Sequence, residues 1–178
     1  MTPLSRRQFL WTAAASSLAL PLAARQEHAR APGRFQHGVA SGDPSTDRII
    51  LWTHVSPADP FSSRPVTVRW SVATDERLQK TVARGQATTD ATRDFTVKVD
   101  AAGLSPGRTY YYAFELDGER SPVGRTRTLP AQGAARLSAA LVSCSNYPAG
   151  FFNVYGCINR RPDIDVIVHV GDYIYEFA

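Results

Sequence analysis

The stretch richest in chemistry is the last one. Residues 166–170 read Val-Ile-Val-His-Val, and Gly171, Asp172, Tyr173, Ile174, Tyr175 and Glu176 follow at once. A short apolar run ending in Gly-Asp places a carboxylate at the carboxyl end of a strand, where open α/β sheets gather their ligands. A second apolar run, 137–143, ends at Cys144. If the two runs are neighbouring strands, about 5 Å apart, Cys144 and Asp172 face one small volume. A helical turn after Gly171 would bring Tyr175, and with it Glu176, onto the face of Asp172 and turn Tyr173 and Ile174 away. One thiol, one carboxylate and one phenol suit a hard trivalent metal such as Fe3+. Coordination would ionise the phenol far below its free value of ~10 and would hold the cysteine as thiolate. The candidate metal-binding residues are therefore Cys144, Asp172 and Tyr175, and no side chain is singled out as a catalytic nucleophile or base.

Each of the three also has a plainer alternative. Cys144 would serve equally as a buried thiol or as the disulfide partner of Cys157, the only other cysteine. Asp172 would serve as a helix N-cap after a strand, and Tyr175 as packing. His169 lies inside the run and reads as a core histidine rather than a ligand.

The elements that must position these residues follow from the pattern. Run 137–143, a helix of about three turns over 150–160 that stops before Pro162, and run 166–170 form a strand-helix-strand unit. Its two strands are predicted to be parallel, with a right-handed crossover, and of the doubly buried sort. Ahead of it, a short hinge at 130–134 follows about seven short strand signals with no convincing helix. These include 49–55, 66–72, 81–89, 95–99, 109–116 and a closing edge at 124–129. Val66, Val68, Trp70 and Val72 alternate onto one face. This spacing predicts a β-sandwich. The turn Leu104-Ser105-Pro106-Gly107 before the tyrosine-rich strand 109–116 predicts a tyrosine corner made by Tyr110 or Tyr112. Trp52, Trp70 and the tyrosines read as core.

The front of the chain is a targeting segment. Ser5-Arg6-Arg7-Gln8-Phe9-Leu10 precedes an alanine-rich apolar stretch, 9–24, and resembles a twin-arginine (Tat) export signal. The stretch falls short of the ~20 residues a membrane span needs. Residues 1–31 carry four arginines against Glu27, a net of +3 out of the chain's +4. The remainder is near neutrality and offers no electrostatic case for nucleic acid. The sequence contains no phosphate-binding glycine loop, no His-Glu-x-x-His and no nucleophile-elbow serine, and its cysteines lack the Cys-x-x-Cys spacing of a redox motif.

Ser143-Cys144-Ser145-Asn146 and the string from His169 to Glu176 resemble the PhoD-type alkaline phosphatases of the metallophosphoesterase superfamily. The segment from Phe35 to Pro44, followed by Leu51-Trp52-Thr53, resembles the start of the sandwich that precedes their catalytic domain. The resemblance implies a mainly β chain in three parts: a Tat signal peptide (1–31), a fibronectin/Ig-like β-sandwich (35–130), and the first βαβ unit of an incomplete α/β metallophosphoesterase domain (136–178). It implies that Asp172 bridges an Fe3+ and a Ca2+, with Cys144 and Tyr175 as terminal Fe3+ ligands. It also implies export by the Tat machinery to the periplasm or exterior, with no membrane span in the mature form, and hydrolysis of phosphate esters by a metal-bound hydroxide. Relatives supply further Asn, Asp and His ligands from later strands, so this fragment is expected to bind metal weakly and to lack activity. The competing expectation is a secreted β-sandwich binding module with a vestigial catalytic tail.

Overall fold

The computed structural model describes residues 34–57, 59, 61–134, 136–146, 151–173 and 175. The predicted export signal, Gly150, Ile174 and Glu176 lie outside the described residues.

Alternating sequence becomes two sheets. Strands β1 (Val39–Gly42), β2 (Arg48–His54) and β5 (Thr96–Ala102) form an antiparallel sheet in the order β1-β2-β5. Strands β3 (Val66–Ala73), β4 (Thr81–Thr89), β6 (Thr109–Leu116) and β7 (Glu119–Arg120) form a second sheet in the order β4-β3-β6-β7, and β8 (Gly124–Arg127) also pairs with β6. Ile49 and Leu51 from β2, Val97, Val99 and Ala101 from β5, Val68 and Val72 from β3, and Tyr110, Tyr112, Phe114 and Leu116 from β6 meet in one apolar cluster. Each large side chain so buried contributes about 1.5–3 kcal/mol, which is what holds the two sheets together. Buried Thr53 is satisfied by donating its hydroxyl to the carbonyl of Gly38 at 2.8 Å, so it adds no desolvation penalty.

The turns have local causes. Asp117 and Gly118 both take positive φ, 52° and 82°, the two-residue turn whose twist suits a β-hairpin, and they join β6 to β7. At the β5–β6 corner Gly107 (φ 67°) follows Pro106, as a type II turn requires. The tyrosine corner is made by Tyr110: its phenol oxygen accepts from the Ser105 amide at 2.8 Å and its hydroxyl faces the Ser105 carbonyl at 3.4 Å. Tyr112 is buried instead against Phe114, edge to face. Trp70 is half-buried against the core. Trp52 departs from the core expectation. In β2 the inward residues are Ile49, Leu51 and Thr53, so Trp52 falls on the opposite face, a consequence of the two-residue period of a strand.

Beyond the hinge, β9 (Ala139–Val142), helix α1 (Asn153–Asn159) and β10 (Val166–His169) follow. The strands pair in parallel, Ala139 with Val166 through Val142 with His169. The helix spans seven residues, shorter than the three turns expected. The expectation of doubly buried strands is also corrected: no residue of β9 or β10 is buried, and Leu141 is 70% and Ile167 53% exposed. Two four-residue strands and a two-turn helix lack the apolar surface to cover both faces. This unit is tied to the two antiparallel sheets through β8. The Arg125 guanidinium donates to the carbonyls of Pro162 (2.7 Å) and Arg161 (3.1 Å), and Arg127 donates to Asp165 at 2.8 Å. The other Asp165 oxygen accepts from the Ser138 amide at 3.0 Å. No helix among the described residues is long and apolar enough to cross a membrane.

Candidate metal centre

The parallel ladder does not stop with the strands. The Val170 amide donates to Val142 (3.0 Å), the Cys144 amide to Gly171 (3.2 Å) and the Ser145 amide to Asp172 (2.9 Å). The two chain ends therefore run side by side past the sheet. Both then enter the left-handed region, Cys144 with φ 57° and Asp172 with φ 54°, next to Gly171 at φ 120°. For residues with a Cβ this conformation costs of order 1–3 kcal/mol each, and such strain gathers at ligand-clamping positions.

This backbone brings the three sequence-predicted residues together. One oxygen of Asp172, Oδ2, lies 3.6 Å from the Cys144 sulfur and accepts a hydrogen bond from the Tyr175 hydroxyl at 2.9 Å. Asp172 itself is left-handed rather than helical, and Ile174, on the expected helical turn, lies outside the described residues. Hydrogen bonding to Cys144, and next to Asp172, pushes the Tyr175 phenol above its ordinary range, because the neutral phenol is the partner both neighbours hold. A cation bound among the three would reverse that preference by favouring the anionic form of each donor. Among the described residues no group of three or more His, Cys, Asp or Glu is arranged for a metal; the third donor here is a phenol.

The plainer alternatives fare as follows. Cys144 and Cys157 are both free and both exposed, so neither the disulfide nor the buried thiol is found. Cys157 sits on α1 and accepts from the Arg160 guanidinium at 3.3 Å. The residues a helix capped by Asp172 would need, 174 and 176–178, lie outside the described residues. Tyr173, expected to point away, packs edge-on against His169 at 5.3 Å between ring centroids.

Sequence reasoning missed the supports beneath the site. His169 is half-buried, and its Nε2 lies 3.0 Å from the Tyr155 hydroxyl, which in turn contacts the Ser145 hydroxyl. A depression of about 290 Å³ beside Cys144 is lined by Ser145, Asn146, Phe151 and Phe152 among others. A larger hollow, about 490 Å³, lies on the five-stranded sheet near Trp70, Arg84 and Arg120, and it holds no comparable donor set.

Comparison with known proteins identifies the family. The family model for the PhoD-like phosphatase N-terminal domain matches residues 21–130, and the model for PhoD-like phosphatase matches residues 139–178. Alkaline phosphatase D of Bacillus subtilis (strain 168) is 41% identical over 151 residues, covering 81% of this chain and 26% of the relative. A solved structure of PhoD superposes with a TM-score of 0.75 at 38% identity, covering 83% of this chain and 29% of that one. The chain thus spans between a quarter and a third of the length of these relatives, and it belongs to the PhoD-like phosphatase family.

Proposed function

We propose that this chain is the N-terminal part of an exported, metal-dependent alkaline phosphatase or phosphodiesterase, with Cys144, Asp172 and Tyr175 as its contribution to the metal centre. One observation carries the reading: a thiol and a phenol converge on the same Asp172 oxygen at the ends of two parallel strands. Once ionised, the three side chains bring three negative charges, which balance a trivalent cation such as Fe3+. A Ca2+ beside it would draw on carboxylate oxygen such as that of Asp172, because Ca2+ prefers oxygen donors. Such a metal pair polarises a phosphoryl oxygen and acidifies a water.

The roles of the chain's own residues follow from their chemistry. Asp172 would hold the metal through its carboxylate, and Cys144 and Tyr175 would serve as thiolate and phenolate donors once deprotonated. Residues 35–130 act as a fibronectin-like sandwich that carries the first βαβ unit of the catalytic domain, with Arg125 and Arg127 as the fastening. The segment 1–31 directs export through the Tat pathway. Three donors under-coordinate two metal ions, so the 178-residue chain alone is expected to bind metal weakly and to leave phosphate esters intact.

The test is a chimera joining this chain to the remaining portion of the Bacillus subtilis relative. Hydrolysis of a chromogenic phosphate ester that disappears in Asp172→Asn is the expected result. A folded, iron-containing chimera with no hydrolysis would overturn the proposal. A second reading, a secreted sandwich binding module, draws on the fact that every residue of the buried apolar cluster lies between Phe35 and Leu116. Enzyme-like turnover by the chimera removes it.

A further inference from the structure

Three side chains outside the donor set link the two strand ends. The Gly171 amide donates to His169 Nδ1 at 3.2 Å. That nitrogen is therefore an acceptor, and Nε2 carries the proton in this tautomer. Nε2 then donates to the Tyr155 hydroxyl, 3.0 Å away, and the Tyr155 hydroxyl shares a hydrogen bond with the hydroxyl of buried Ser145. The chain of bonds starts beside Asp172, crosses helix α1 and ends beside Cys144. It spans the two left-handed residues that project the thiol and the carboxylate toward each other. Such backbone persists only where its surroundings over-determine it.

We propose that Tyr155 and His169 are positioning residues. Through Ser145 and Gly171 they lock the two strand ends, so that Cys144 and Asp172 are held ready for one cation. The inference rests on the metal-centre reading for its purpose, but its structural part can be measured without metal.

The experiment uses the full 178-residue chain carrying Cys157→Ser, so that Cys144 is the only thiol, and compares it with Tyr155→Phe in the same background. The phenylalanine keeps the ring and removes only the hydroxyl. Amide hydrogen exchange is read first, at Cys144 and Ser145, whose N–H groups bond across to Gly171 and Asp172. Loss of the hydroxyl bonds is expected to speed exchange at these two amides by about tenfold, with Val170 and the interior of β9 and β10 unchanged. Unchanged exchange at Cys144 and Ser145 overturns the proposal. A uniform rise through β9, α1 and β10 also overturns it, because Tyr155 would then merely hold the unit together. Cobalt(II), a redox-stable probe with thiolate charge-transfer absorption, is titrated second. Weaker binding by about tenfold in Tyr155→Phe supports the proposal, and equal binding overturns the link to the cation. If the parent chain takes up no cobalt while local exchange responds as expected, the metal-centre reading fails and the locking of the strand ends stands.

Discussion

Replacing Gly124 by alanine tests how tightly the buried core is built against the strand that fastens the candidate site. Gly124 opens β8 opposite Tyr112 of β6. A Cβ placed there would lie 2.3 Å from Cζ, 2.5 Å from Cε1 and 2.6 Å from Oη of Tyr112. Tyr112 cannot swing aside, being 2% exposed, and burial pushes its phenol up to about 12. Overpacking of this kind costs about 1–3 kcal/mol. Alanine returns about 0.4–1 kcal/mol by restricting the unfolded chain, which leaves a net loss of about 1–2 kcal/mol. For a domain of this size that lowers Tm by roughly 5–15 °C. Thermal unfolding followed by near-UV circular dichroism reads the tyrosines directly. Two comparisons calibrate it. Gly85→Ala meets the half-buried Trp70 at 2.7 Å, a ring with room to give, and should cost less. Gly42→Ala meets nothing within 4 Å and should be neutral or slightly stabilising. Because β8 also carries Arg125 and Arg127, Gly124→Ala should loosen the tie to residues 161–165 as well. A Tm for Gly124→Ala equal to or above that of Gly42→Ala would refute the reasoning.

Three further outcomes are expected. Tyr110→Phe strands the Ser105 amide that now donates to the phenol at 2.8 Å, and equilibrium denaturation should show a loss of about 1–3 kcal/mol. Asp165 is held below the usual carboxylate range, first by the Ser138 amide and then by Arg127. Its stabilising contribution should be complete above the unfolded value of ~3.9 and fade as the pH falls through the lower folded value. The Ser138 amide chemical shift should titrate accordingly, with a midpoint below ~3.9 that vanishes in Asp165→Asn. Leu51→Ala, at a fully buried position, should cost about 2–5 kcal/mol in the same denaturation experiment.

The parts of the fold that were legible are those with one dominant local cause. Strict alternation marked β3, and Pro106-Gly107 before a tyrosine-led strand marked the corner that Tyr110 makes. The unbroken apolar run around β2 hid which parity faces inward, so Trp52 was placed on the wrong side. Asp117-Gly118 is a hairpin turn in plain sight that the strand count passed over. At the site, Cys144 and Asp172 stood out because each follows an apolar strand. Their left-handed backbone did not, since neither is a glycine. Tyr155 was invisible for a different reason: its role comes from a helix side chain reaching two strand ends at once, which neither periodicity nor spacing encodes. The apolar character of β9 and β10 was real, but it predicts burial only where there is a second layer to bury against.

The central claim is that Cys144, Asp172 and Tyr175 hold one metal ion. The most direct measurement is anaerobic titration of the Cys157→Ser chain with Fe3+, following visible charge-transfer absorption from thiolate and phenolate. A band that is altered in both Cys144→Ala and Tyr175→Phe, and is absent in Asp172→Ala, is the predicted result. No such band even at saturating Fe3+, or one that all three substitutions leave untouched, would contradict the account.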